Sequence, residues 1–139
     1  MVAVIGHYGD EWLRWLEHQV QARGGEPLSV FDALADRFEN PAFRGCVAIN
    51  TMIEMPDRAS PPHRAAVGHK RAVTNYLDRL LVEAGHANHH RLASQLMLLI
   101  DGAMVTAVRE HDAQAAHSAK AIAIALLGQP RRPEIPAPA

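Results

Sequence analysis

The side chains with the most chemistry to offer are nine histidines and a single cysteine. His86, His89 and His90 stand together, and imidazoles are common zinc ligands. Adjacent residues rarely ligate one ion, however, and no Cys or carboxylate stands beside them in the sequence. A short linker is the favoured reading, and no metal site is expected. His63 and His69 lie six residues apart, about 240° around a helix, so they do not form a ligand pair. Cys46 could serve as a nucleophile or redox sensor, but catalysis needs a base and an orienting group beside it. The sequence offers no recognisable set, and a buried small hydrophobe is the commoner role for cysteine. The expectation is therefore no enzyme and no cofactor. A lone cysteine also excludes an internal disulfide and fits a reducing cytoplasm.

The elements that must position these residues read as helices. A chain of 139 residues is long enough for one core, and its 5% aromatic content with abundant Ala and Leu favours helix. Lys and Arg number 14 against 15 Asp and Glu, a formal net charge of -1. That leaves no basic field for phosphate backbones, so the chain alone should bind nucleic acid poorly. No charge-free apolar run approaches membrane-spanning length, and the stretch Met1 to Gly6 is too short for a signal peptide. No membrane association is expected.

The chain is organised around Arg91 to Arg109. At helical spacing, Leu92, Leu96, Leu99, Ala103 and Ala107 form one apolar row, and Ala93, Met97, Ile100, Met104 and Val108 form a second beside it. Together they cover roughly half the cylinder, wider than one core demands of a surface helix. Leu98 and Val105 interrupt the remaining polar arc. Such a helix packs on its own core and on a partner chain at once. In Asp101-Gly102 the glycine allows close approach of another helix.

In chain order, residues 1–9 form a short apolar lead, and Asp10 caps a helix carrying Trp12, Trp15, Leu16 and Val20 on one face. Arg23-Gly24-Gly25 stops it. Pro27 opens a second helix with Phe31, Leu34, Ala35 and Phe38 in register, ended by Asn40-Pro41. Phe43 to Met55 suits a helix of about three turns; its alternating Val47, Ile49, Thr51 and Ile53 have no second strand to pair with. Ser60-Pro61-Pro62 starts a long helix that ends at Gly85. Asp112 caps an alanine-rich final helix in which Ala115, Ala119, Ile122 and Leu126 share a face, and Gly128 ends it. The tail 129–139, with four prolines, should be extended and disordered. The expected fold is all-α with about six helices, in one domain over 1–128.

These residues resemble the C-terminal domain of TetR-family transcriptional regulators. The likeness rests on Phe31-Asp-Ala-Leu-Ala-Asp-Arg-Phe38, on Phe43-Arg-Gly-Cys46 running to Asn50 and Glu54, and on His69-Lys70-Arg71. It continues through Glu83-Ala84-Gly85 and from Leu92-Ala93 to Asp101-Gly102-Ala103, covering residues 10–128. The resemblance implies a domain that binds a small organic effector and dimerises. It also implies a four-helix bundle built across a two-fold axis from the last two helices, here about 91–109 and 113–127. Leu92, Leu96, Leu99, Ala103, Ala107, Ala115, Ala119, Ile122 and Leu126 are the expected dimer contacts. Members of the family read DNA through an N-terminal helix-turn-helix of about fifty residues, and nothing in residues 1–40 looks like one. DNA binding would then run only through a head that this sequence does not show.

An effector pocket in such a domain should be mostly apolar, with a few polar groups to orient the ligand. The expected liners are Trp12, Trp15, Phe31, Phe43, Cys46, Asn50, Met52, His69, Tyr76, Met97 and Met104. Asn50, His69 and Tyr76 stand out, because a polar group on a half-buried face needs a partner. Methionines suit a pocket that accepts varied shapes. Two functional expectations follow: the effector-sensing and dimerisation domain of a TetR-like repressor, or a stand-alone helical dimer that sequesters a small apolar molecule without a DNA role.

Overall fold

A computed structural model of the chain describes residues 2–128, which form six α-helices. They are α1 (Val2–Ala22), α2 (Ser29–Glu39), α3 (Val47–Glu54), α4 (Pro61–Glu83), α5 (His89–Glu110) and α6 (Gln114–Leu127). Among the described residues there is no strand, and the all-α expectation holds. The tail 129–139 lies outside the described residues.

Four boundaries follow the local chemistry read from the sequence. Gly24 and Gly25 adopt positive φ after α1, a conformation that side-chain-bearing residues resist. Ser60 Oγ accepts the His63 N–H at 3.4 Å, with prolines in the first turn of α4. Asp112 Oδ1 accepts the Gln114 N–H at 2.9 Å in a turn that leads into α6, one residue ahead of the N-cap Ala113. Gly128 closes that helix.

Three readings are corrected. Residues 2–9 are not a lead into a helix capped by Asp10; α1 runs unbroken from Val2, and Asp10 lies inside it, its carbonyl accepting from Arg14 Nε at 3.3 Å. Gly9 is compatible with that helix because α4 comes so near: a Cβ there would stand 2.8 Å from His69 Nδ1. The segment from Phe43 is not helical throughout. Residues 43–46 are irregular, with Gly45 at φ +89° and Cys46 extended, and α3 holds only eight residues. Lastly, His89 and His90 belong to the first turn of α5 rather than to a linker.

α5 packs between α4 and α6, α2 lies across α6 and α1, and α1 lies on α4. The core is filled by Leu16 and Val20 of α1, Phe31 and Leu34 of α2, Leu77 and Leu81 of α4, and Leu96 and Ile100 of α5, all essentially inaccessible. Each such aliphatic side chain contributes about 1.5–3 kcal/mol by leaving water. Small residues, Ala116, Ala119 and Ala123, let α6 approach its neighbours closely. By length and apolarity alone α5 could cross a membrane. Its apolar face is, however, packed against α4 and α6, and Asp101 on it is ion-paired.

This packing redistributes the expected dimer residues. Leu96, Ala103, Ala107, Ala115 and Ala119 are buried within the chain itself, and Leu92, Leu99 and Leu126 are half-buried. Of the nine, Ile122 alone is exposed, at 52%. Five of the nine are thus taken up by the chain's own core. The outward stripe of α5 consists instead of Leu98, Gly102, Val105 and Arg109, at i, i+4, i+7 and i+11.

Candidate functional site

A cleft opens where α1, α4 and α5 meet the irregular segment before α3. Its walls are Tyr8, Gly9 and Trp12 from α1, Gly45 to Ala48, His69, Lys70 and Val73 from α4, and Met97 and Met104 from α5. Each element delivers its residues by helical spacing. Trp12 lies one turn past the close α1–α4 contact at Gly9, and Met97 and Met104 are two turns apart on the inner face of α5. Gly45 brings the backbone to within reach of α5: a Cβ there would stand 2.8 Å from Val108 Cγ2.

The polar groups of the cleft are few and constrained. The His69 ring stands edge-on to the Trp12 indole, with centroids 5.6 Å apart and planes at 87°. Burial, reinforced by the neighbouring Lys70 ammonium, pushes the His69 imidazole below its ordinary pKa and so favours the neutral ring. Lys70 Nζ is held by Asp101 Oδ1 at 2.6 Å, tying α4 to α5; the Lys70 side chain is 14% exposed and that of Asp101 is 40% exposed. The cavity itself is only about 10 Å³, the room of a single water molecule. What this arrangement can do chemically is bind and orient. It presents an apolar aromatic and thioether wall, one neutral imidazole and one paired ammonium.

Of the eleven residues expected to line a pocket, Trp12, Cys46, His69, Met97 and Met104 come together here. Asn50 is exposed at the rim, its Nδ2 3.8 Å from the Cβ position of Gly45. Trp15 does not line the cleft; it packs beside Trp12 at 5.8 Å, with the Arg37 guanidinium 4.7 Å above its ring. Phe31 is core, and Phe43 packs on Phe38 at 5.0 Å. Met52 is half-buried on α3, away from the cleft walls. Tyr76 is buried in the core with no hydrogen-bond partner for its hydroxyl among the described residues, and burial, with the Glu17 carboxylate adding to it, pushes that group up to about 12. The sequence reading missed Lys70, Gly9 and Gly45. Lys70 sits in the His69-Lys70-Arg71 run already singled out, whereas the glycines act through their lack of a side chain, which no spacing reveals.

A second cluster lies at the start of α5. Asp78 of α4 reaches His89 Nδ1 at 2.6 Å and His90 Nδ1 at 3.2 Å through the same oxygen. The sequence argument that no carboxylate stands beside these histidines therefore does not hold in three dimensions.

Comparison with known proteins agrees with this architecture. Residues 28–123 match the family described as "Tetracyclin repressor-like, C-terminal domain". The fold is also similar to the crystal structure of a TetR-family transcriptional regulator from Streptomyces coelicolor. The two are 27% identical with a TM-score of 0.63, over 86% of this chain and 69% of that one. No curated protein matches. With the family pattern spanning α2 to α6 almost entirely, the chain belongs to the TetR-like C-terminal regulatory domains.

Proposed function

We propose that this chain senses a small, largely apolar organic effector in the cleft between α1, α4 and α5, and passes the event to a second copy through α5 and α6. The observation that carries this reading is the double duty of α5. Met97 and Met104 line the cleft, while Leu98 and Val105, the next residue in each case, project outward at 77% and 58% exposure. A ligand that presses on Met97 and Met104 as it enlarges the cleft pushes α5, and a rigid helix moves as a unit, so the outward stripe shifts with it. Pockets that hold drug-sized ligands measure roughly 300 Å³ or more, far beyond the present cavity. Binding therefore demands opening of the cleft, and flexible methionines together with the irregular 43–46 segment are the parts suited to yield.

The outward face of α6 completes the surface for a second copy. Ser118, Ala121, Ile122 and Ala125 lie at i, i+3, i+4 and i+7, all exposed. Lys120 Nζ bonds Asp32 Oδ1 of α2 at 2.8 Å, which turns that flank of α6 toward α2 and leaves Ile122 on the flank toward α5. Among the described residues nothing lies within 4 Å of the Gly102 Cβ position, so a neighbouring helix can come close there. A homodimer built on these two faces, acting in the cytoplasm as part of a repressor, is the functional form we propose. Reading DNA is not a property of the six helices described, whose chain carries no net positive charge.

The test is a thermal-shift titration with flat apolar probes such as naphthol, run on the natural chain and on Met104→Trp, which fills the cleft. A saturable rise in melting temperature for the natural chain, absent in the variant, is expected. An equal rise in both, or none in either, refutes the site.

A further inference from the structure

We infer that Asp78, His89 and His90 form a binding site for a divalent transition-metal ion of the zinc class, joining the C-terminal half of α4 to the first turn of α5. The inference stands independently of the effector reading.

One ligating atom from each residue lies within 4.8 Å of the other two. The His89 Nδ1–Asp78 Oδ1 and His90 Nδ1–Asp78 Oδ1 distances are 2.6 and 3.2 Å. A tetrahedral ion with bonds of about 2.0–2.2 Å holds its ligand atoms about 3.3 Å apart. The His90–Asp78 edge already has that length, and the His89–Asp78 edge needs to open by well under 1 Å. The set of two imidazoles and one carboxylate suits zinc, nickel or copper(II) rather than the hard cations that prefer all-oxygen cages.

The backbone holds two of the three ligands in place before any ion arrives. Asp78 follows the buried Leu77 on α4, and His89 sits one turn before the buried Ala93 on α5. Their side chains are 22% and 29% exposed. The His90 side chain is 86% exposed yet turns to the same carboxylate oxygen, its ring 4.3 Å from that of His89. This open side leaves coordination positions for water or for a ligand atom from elsewhere.

Without metal, His89 Nδ1 and the Asp78 carboxylate oxygen share a hydrogen bond of 2.6 Å, and His90 Nδ1 lies 3.2 Å from the same oxygen. An ion in this place takes a ring-nitrogen lone pair from each imidazole, with the ring proton carried on the other nitrogen. The positive end of the α5 dipole opposes a cation here, and the Asp78 charge offsets it. The site is accordingly expected to be weaker than a closed four-ligand structural zinc site.

The test is isothermal titration of zinc chloride into the full chain, prepared without an affinity tag, paired with melting temperature at saturating zinc. One ion per chain and a raised melting temperature are expected, because the ion cross-links two helices of the folded state. Asp78→Asn and His89→Ala should each weaken binding by about tenfold or more, as removal of even an outer-shell partner costs that much. His117→Ala, which removes an exposed histidine on α6, should bind as the natural chain does. Far-UV circular dichroism identifies a variant that has failed to fold, in which case His90→Ala, at the exposed ligand, takes its place. Absence of saturable binding overturns the inference, as does zinc affinity unchanged by loss of Asp78 and either histidine.

Discussion

Replacing Leu98 by glutamate tests the proposed two-copy surface at its most exposed apolar point. Full burial of a leucine side chain is worth about 1.5–3 kcal/mol. Leu98 is 77% exposed in the single chain, so covering it would contribute roughly 1–2 kcal/mol per copy, and about twice that across a two-fold axis. Leu98→Glu removes this gain and sets two carboxylates in the interface, where desolvation and like-charge repulsion add at least a comparable cost. A loss of about 4 kcal/mol is a thousandfold in dissociation constant. Sedimentation velocity at low micromolar concentration should then show a dimer near twice 15.2 kDa for the natural chain and a monomer for the variant. Helicity should be equal in the two, since Leu98 supports no core contact. The contrast is Leu96→Glu: Leu96 is fully buried within the chain, and a charge there should unfold the domain rather than dissociate it. A dimer that survives Leu98→Glu, or a natural chain that is already monomeric, refutes the assignment of this face.

Three stability expectations follow from the cleft, its flanks and α4. Because burial lowers the His69 pKa in the folded state, the unfolded chain binds more protons as pH falls through about 6.5 toward that lowered value. His69 should therefore make the domain less stable on acidification across that window, and His69→Gln should flatten the pH dependence of the melting temperature there; an unchanged profile would count against a buried neutral ring. Gly45→Ala meets both a positive φ and a methyl group of Val108 at 2.8 Å and should cost about 1–3 kcal/mol. Gly68→Ala, in the open on helix α4, should stabilise by up to about 1 kcal/mol in the same denaturant titration.

Much of this protein is legible in one dimension because helix chemistry is local. Ser60 with two prolines, the Gly24-Gly25 stop and the Asp112 turn act on backbone groups within a few residues, so the sequence alone determined where α4 begins and where most helices end, but not where α1, α3 and α5 begin. The apolar rows likewise determined that α5 is central. Which of its faces meets the chain's own core was beyond that argument, since Leu96 and Leu98 are both leucines and only the placement of α4 and α6 distinguishes them. The cleft was legible in part: Trp12, His69, Met97 and Met104 are the conspicuous aromatic, polar and thioether side chains of their helices. Phe31 and Tyr76 have the same character yet are absorbed by packing. Gly9 and Gly45 matter for what they lack, which becomes visible only when a second helix stands beside them. The Asp78–His89–His90 cluster is the plainest case. Its histidines are neighbours in sequence, but their carboxylate arrives from the preceding helix, after a turn that reverses the chain, and only the tertiary fold could bring it there.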